Sequence, residues 1–506
     1  MALIINNKFL SSITLIILGI LSSYSLPPYN YFFINFFTFP FLFYILVNNP
    51  NQNLLNNFLI GWFYGFGYFL SNLYWVSNSL KFDENFDNLI ILSIILIPSL
   101  LSIYYGLFSL CVKFFNIKMN FNSVLTFSVT LSFFEYLRGT ILGGFPWNLI
   151  SFSILEFNNS IQILSLIGTY SLNLIVINLY CLPIILLFKT KAQKKIIIIL
   201  SVAVVLLINA NYGHNRANNI EQAKKKTIFP SIKLISPRFD IERFFIDEPI
   251  ENILNDLIQI SYPLNKDFLL IYPEGITTFN KLNKSDNNFD QISNQLRNQS
   301  KIILGISSKD GEKIFNSLAL FDKNFLLEEK YNKNKLVPFG EFLPFDRILS
   351  NLGLKKITQG YKSFSHSNER NIITVNSTSF LPLICYEIIF SGQLKKNNAE
   401  YDFILNISED GWFGNSIGPV QHFSHSIFRS IEEGKDVLRV ANNGISAHVS
   451  STGIIKNKLN TTEKGSIEIN TISKAFPTLF SIFGNKIFFC FVFFYISLIF
   501  FLKKFK

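Results

Sequence analysis

One thiol, one lysine and three carboxylates stand where their types and spacing could do chemistry. Cys385 closes the apolar run Leu381-Pro382-Leu383-Ile384 and is followed at once by Tyr386 and Glu387. A short apolar run reads as a buried strand, and a rigid element holds a nucleophile better than a loop does. Cys111, Cys181 and Cys490 fall inside long apolar runs, so Cys385 is the one thiol of the polar part of the chain and has no disulfide partner there. A lone cysteine is ordinarily a small buried hydrophobe, but two other motifs argue for more. Glu274, in Tyr272-Pro273-Glu274-Gly275, also follows an apolar run, and a partly desolvated carboxylate rises toward the basicity of a general base. Lys333 and Glu341 share the stretch Tyr331–Glu341. Alone, Glu274 reads as a solvated cap and Lys333 as a surface charge. Together with Cys385 they supply a thiol, a base and a fixed cation.

The elements that must carry these residues are of two kinds. The chain has 506 residues, 56 of them Phe, and is 49% hydrophobic, too apolar for one soluble core. Eight stretches approach the roughly 20 residues a bilayer-spanning helix needs: 9–26, 30–47, 55–79, 88–112, 121–138, 160–188, 195–210 and 478–502. The first is followed directly by further apolar segments and lacks a clear cleavage site, so it reads as a helix and not as a leader. The net charge of +11 is spread between apolar runs, not gathered on one face, which argues against nucleic acid as partner. Lys8, Lys113, Lys118, Lys189, Lys191, Lys194, Lys195, Lys503, Lys504 and Lys506 all fall on one side of eight alternating helices. The excess of lysine on one side places both termini in the cytoplasm and the large segment after the seventh span outside it.

That segment is rich in charge and Asn, and short β-like runs alternate in it with helix-compatible stretches. Strands are expected at Ile232–Ser236, Phe268–Tyr272, Ile302–Ile306, Ser317–Phe321, Leu381–Cys385, Phe403–Ile407, Leu438–Ala441 and Ala447–Ser450, and helices at 249–261, 287–299 and 420–434. The alternation reads as one layered α/β domain. The chain is therefore expected to comprise a seven-helix membrane region (1–211), a catalytic domain (212–474) and an eighth helix with its tail (475–506). In the membrane half, Gly61 and Gly65 suit close helix packing and Trp75 an interfacial anchor. Glu135 and Arg138 form either a functional pair at membrane depth or a helix-end pair reaching the headgroups.

The order Glu274, Lys333, Cys385 resembles the Glu-Lys-Cys triad of the nitrilase superfamily. Tyr331-x-Lys333-x-x-Leu336-Val337-Pro338-Phe339-Gly340-Glu341, Asn406-Ile407-Ser408-Glu409-Asp410-Gly411-Trp412-Phe413-Gly414 with Ser416, Pro419, Gln421 and His422, and Arg439 with Asn442-Asn443-Gly444-Ile445-Ser446 are more specific. With the motifs around Gly61–Trp75 and Glu135–Trp147, the chain resembles the apolipoprotein N-acyltransferases, the membrane-bound branch of that superfamily. It departs from them at Ser236-Pro237-Arg238 and Arg243-Phe244-Phe245, where the family often has Gln-Gly/Pro-Asn and Lys-Trp. The resemblance implies a polytopic eight-helix bundle carrying a nitrilase-like αββα sandwich, in a bacterial inner membrane with the catalytic domain in the periplasm. It implies transfer of an acyl chain from the sn-1 position of a phospholipid to the α-amine of a diacylglyceryl-cysteine at a lipoprotein N-terminus, through a thioester on Cys385 and without cofactor or metal. In that scheme Glu274 accepts the proton, and Lys333 favours the thiolate and, with N–H groups near Tyr386, stabilises the oxyanion. Glu341 and Glu387 orient Lys333 and the base, and Trp412, Phe413, Trp75 and Trp147 are candidates for a lipid-facing lid.

Other readings compete. A Cys-His hydrolase needs one of His214, His366, His422, His425 or His448 beside Cys385. His422 and His425 lie one helical turn apart, but no HExxH string or cysteine accompanies them as metal ligands, so surface or structural roles are expected. A membrane-tethered nitrilase-type amidase or hydrolase is the alternative enzyme. A transporter would need more charge along the helices than Glu135 and Arg138.

Overall fold

The computed structural model describes residues 7–48, 53–82, 86–245, 249–278, 282, 290–344, 346, 363–394, 400–474 and 476–504. The chain divides into two compact units. One comprises Met1–Ser77, Asp87–Asn218 and Thr478–Lys506; the other comprises Asn78–Phe86 and Asn219–Pro477.

The first unit is helical: α1 (Lys8–Ser23), α2 (Asn35–Val47), α3 (Leu54–Leu73), α4 (Asp87–Phe114), α5 (Phe121–Thr140), α6 (Leu164–Cys181), α7 (Ala192–Gln222) and a C-terminal helix, Lys486–Lys504. Asparagine side chains at 7, 53 and 120 accept backbone N–H bonds and start α1, α3 and α5. A helix overlies each of the eight expected stretches. Among the described residues, four helices are long and apolar enough to cross a membrane: α4, Leu164–Leu187, α7 and the C-terminal helix. Ile197, Leu207, Phe493 and Phe500 are exposed on them, a surface suited to lipid more than to water. Glycine brings α3 and α4 together, for a Cβ on Gly61 would lie 2.0 Å from the Tyr105 carbonyl oxygen.

Three boundaries differ from expectation. α3 ends at Leu73 and a 3₁₀ stretch, Tyr74–Phe82, follows it, whose residues from Asn78 belong to the second unit. α6 is interrupted at Gly168, φ 71°. α7 continues to Gln222 because its polar end holds no proline to stop it. Glu135 and Arg138 pair at 2.7 Å with both side chains buried, so they do not reach out to headgroups.

The second unit is built on two sheets. The first has the order β13-β1-β2-β4-β5-β6 with β3 on β4, the second β12-β11-β10-β9-β8-β7. The strands are β1 (Lys226–Ser236), β2 (Phe268–Ile271), β3 (Thr277–Thr278), β4 (Lys301–Asp310), β5 (Lys313–Asp322), β6 (Leu327–Asn332), β7 (Ile373–Val375), β8 (Thr378–Ile384), β9 (Phe403–Glu409), β10 (Asp436–Asn442), β11 (Ser446–Val449), β12 (Ile455–Leu459) and β13 (Gly465–Ile472). β1, β2 and β4 run parallel, as do β8, β9 and β10. Helix α8 (Ile250–Ile260) buries Ile253, Leu254, Leu257 and Ile258 against Leu270 and Leu304 of the first sheet. Helix α9 (Gly418–Glu433) packs on β10 and β11 of the second, and the sheets meet through β1 with β10 and β5 with β8. The result is helix, sheet, sheet, helix.

All eight expected strands are present. Those not foreseen are β3, β6, β7, β12 and β13, and all but β3 are sheet edges, where polar residues such as those of Ile455-Lys456-Asn457-Lys458-Leu459 are tolerated and blur the apolar pattern. Of the helix expected at 287–299, Asp290–Ser293 is helical, and 287–289 lie outside the described residues.

Candidate active site

Each candidate residue follows the carboxyl end of a strand: Glu274 after β2, Lys333 after β6 and Cys385 after β8. The turn at Glu274 fits because β4 offers a glycine beneath it. A Cβ on Gly305 would stand 2.4 Å from the Glu274 Cα. Ile276 N donates to Gly305 O at 2.8 Å and fixes the turn. Cys385 begins a 3₁₀ turn, Cys385–Ile389, with φ 49°, a left-handed backbone that strains a side-chain-bearing residue and recurs at functional sites.

Glu274, Lys333 and Glu341 form one buried cluster. Lys333 Nζ donates to Glu341 Oε1 at 3.0 Å and to Glu274 Oε1 at 3.3 Å. Asn316 Nδ2 donates to Glu274 Oε1 at 2.6 Å and to Glu341 Oε1 at 2.7 Å. The other Glu274 oxygen accepts the backbone N–H of Glu409 at 2.9 Å, and the other Glu341 oxygen that of Val337 at 2.8 Å. Burial alone would lower the pKa of Lys333, but Glu274 and Glu341, with Cys385 beside them, hold it above the ordinary lysine value. Lys333 is therefore a permanent cation.

The thiol differs from expectation. Burial, then the Glu274 carboxylate, push its pKa up, and Lys333 pulls it down without offsetting them. Burial and the nearby Glu274 thus favour the protonated thiol, and the proton must leave as the sulfur attacks.

Glu387 does not orient Lys333. Its Oε1 accepts from Arg370 Nη2 at 2.6 Å, Tyr331 Oη at 2.7 Å and the backbone N–H groups of Asn334 and Lys335 at 2.9 and 3.1 Å. Its Oε2 accepts Ile384 N at 2.8 Å. It is a clamp between the loop after Lys333 and the strand end that carries Cys385. Tyr386 is buried with its ring edge-on to Phe390.

Trp75 and Trp147 are 4% and 3% exposed and lie 5.1 Å apart, ring to ring, within the helical unit. Trp75 Nε1 donates to Asn72 O at 2.7 Å, and the Trp147 ring also stacks on Phe145. Trp412 is partly exposed, stacks on Phe244 at 5.6 Å and meets Phe82 edge-on. Phe413 meets the His422 ring edge-on, and its carbonyl accepts Asn78 Nδ2 at 2.8 Å. In the departing segment, Arg243 pairs with Glu409 at 2.7 Å, and Phe244 is the side chain that a Cβ on Gly275 would strike, at 2.8 Å.

Sequence reasoning missed Asn316, one residue before an expected strand with nothing in its surroundings to single it out. It also read His422 and His425 as surface or structural; both are buried, and His422 touches the Cys385 carbonyl at 3.2 Å.

Residues 18–182 match the family model described as the apolipoprotein N-acyltransferase N-terminal domain, and residues 279–475 match carbon-nitrogen hydrolase. A protein of Rickettsia prowazekii named apolipoprotein N-acyltransferase is 33% identical over 489 residues, 94% of this chain and 95% of that one. Proteins of the same name from Rickettsia typhi and Allorhizobium ampelinum are 33% and 28% identical over 93% and 88% of this chain and 94% and 87% of their own lengths. With an α/β carbon-nitrogen hydrolase unit beside an apolar helical one, and a third of its residues shared across nearly the full length of such a relative, the chain belongs to the apolipoprotein N-acyltransferase family.

Proposed function

We propose that this enzyme moves an acyl chain from the sn-1 ester of a phospholipid to the α-amine of a diacylglyceryl-cysteine at a lipoprotein N-terminus, with Glu274, Lys333 and Cys385 as its catalytic residues. The observation that carries the reading is the buried cluster of a protonated thiol, a carboxylate and a lysine fixed as a cation. Glu274 takes the Cys385 proton as the sulfur attacks the ester carbonyl, forming the C–S bond. The oxyanion develops against the Lys333 charge, worth about 10²–10³-fold in rate for a well-placed donor. The C–O bond breaks, the lysophospholipid oxygen takes the proton from Glu274, and the thioester remains. In the second half the amine attacks the thioester, Glu274 takes its proton, and the departing sulfur is reprotonated. Asn316 and Glu341 hold base and cation in register.

Eight spans, both termini in the cytoplasm, 1–211 and 475–506 as the membrane parts and 212–474 on the periplasmic side of an inner membrane complete the reading. The lysine asymmetry and the exposed apolar helices support it. Trp412 and Phe413 remain the lid candidates. Incubation of the whole enzyme with phospholipid in detergent, followed by mass analysis of its peptides, tests the chemistry. A fatty-acyl adduct on Cys385, removed by hydroxylamine and absent in Cys385→Ala, is expected; an acyl group elsewhere, or none, would overturn the reading.

A further inference from the structure

His422 sits between two oxygens. Its Nδ1 lies 2.9 Å from Asp410 Oδ1 and its Nε2 3.2 Å from the carbonyl oxygen of Cys385. Asn406 Nδ2 faces the same carbonyl at 3.5 Å. Both groups are held by one guanidinium: Arg439 Nη2 donates to Asp410 at 2.8 and 3.0 Å and reaches His422 Nδ1 at 3.1 Å, while Nη1 donates to Asn406 Oδ1. Ser408 Oγ donates to Asp410 Oδ1 at 2.7 Å. Burial would raise the Asp410 pKa, but Arg439 and then His422 bring it below the usual carboxylate range, so the centre of this network is an anion. Burial and Arg439 pull the imidazole pKa down. The neutral ring has one N–H to give. Nδ1 faces the acceptor-only Asp410 carboxylate, which anchors the ring, and Nε2 lies against the Cys385 carbonyl.

We infer that His422 is a positioning residue for the nucleophile: anchored through Nδ1 on Asp410, the ring sets Nε2 against the carbonyl of Cys385, holds that residue in its left-handed backbone, and so aims the sulfur. The strain at φ 49° persists only where the surroundings over-determine it, and the network ending on this carbonyl is what does so here. His422 faces the main chain of Cys385, so it takes no proton from the sulfur. The inference rests on the reading of Cys385 as nucleophile given above.

The imidazole nitrogens can be tested separately. A glutamine at 422 places an amide near the Nε2 position, and an asparagine places one near Nδ1. Single-turnover thioester formation is measured on the full-length enzyme in detergent, with a phospholipid labelled in its sn-1 chain, beside wild type and Cys385→Ala. His422→Asn is expected to lower the rate at saturating phospholipid by about 10–100-fold, the penalty of an ångström-scale misplacement, while His422→Gln stays within about threefold of wild type. Half-saturating phospholipid and the melting temperature stay the same in both variants, and the acid limb of the pH profile does not move in His422→Gln. Equal rates in the two variants with intact melting, or a change confined to half-saturation, would overturn the inference. Loss of the acid limb in His422→Gln would do the same, by making the ring the base. An unacylated wild type would instead sink the proposed function itself.

Discussion

Replacing Lys333 by methionine removes the one cation between two buried carboxylates. Glu274 Oε1 and Glu341 Oε1 both accept from Asn316 Nδ2, at 2.6 and 2.7 Å, so they stand at most about 5 Å apart. Two like charges at that distance repel by about 3 kcal/mol at an effective dielectric near 20. The repulsion disfavours a pair charged on both sides, and a Glu274 that holds a proton has no room for that of Cys385. The oxyanion also loses its cation, which alone costs about 10²–10³-fold. Thioester formation, followed by rapid quench with a labelled phospholipid, is expected to fall by about a thousandfold at pH 7. Its acid limb should move to higher pH, because the repelling carboxylates titrate later. Breaking a buried ion pair costs about 3–5 kcal/mol of stability, so the melting transition is recorded alongside. A folded Lys333→Met enzyme that acylates Cys385 at more than about a tenth of the wild-type rate would refute the electrostatic reasoning.

Asn316→Leu removes the amide shared by both carboxylates and is expected to slow thioester formation by about 10–100-fold, since hydrogen bonds to charged groups are worth about 1.5–3 kcal/mol. Asn316→Asp should be worse, since it sets a third acid beside one lysine; a tolerated aspartate would contradict the charge count. In the folded enzyme Cys385 keeps a proton that the unfolded chain begins to release near its ordinary pKa of 9.0. Stability should therefore fall as pH rises above that value, by about 1.4 kcal/mol per pH unit. Lys333, also raised, adds a second decline above 10.5. Melting temperatures between pH 9 and 10 should decline less in Cys385→Ala than in wild type, and parallel declines would show the thiol is not their source. Gly61→Val drives a methyl-bearing side chain into the Tyr105 carbonyl; a cost of about 1–3 kcal/mol, seen as a lower melting temperature in detergent, is expected, and an unchanged melt would mean that α3 and α4 can part.

What the sequence made legible, and what it hid, divides along a physical line. A strand that is apolar on both faces announces itself, so β2, β4, β8, β9 and β10 were found together with the residues at their ends. The partners of a buried polar group are set by the fold and leave no local pattern. Glu387 is two residues from Cys385, which invited a role beside Lys333; the sheet instead brings it Arg370, Tyr331 and the backbone of the loop after Lys333. His422 and His425, a turn apart, are open in the sequence to surface or structural roles, because an amphipathic helix ordinarily keeps a polar face. Here almost every residue of α9 is buried, and His422 meets Cys385 and Asp410, which follow strand ends that periodicity does not see. The helix expected at 55–79 ends early, at Leu73, for a related reason. Hydropathy continues past Leu73, but Asn78 donates to the Phe413 carbonyl, and Phe82 meets Trp412. These contacts assign the end of that apolar stretch to the catalytic unit, so a lipid-like composition there serves the surroundings of Trp412 and not a longer helix.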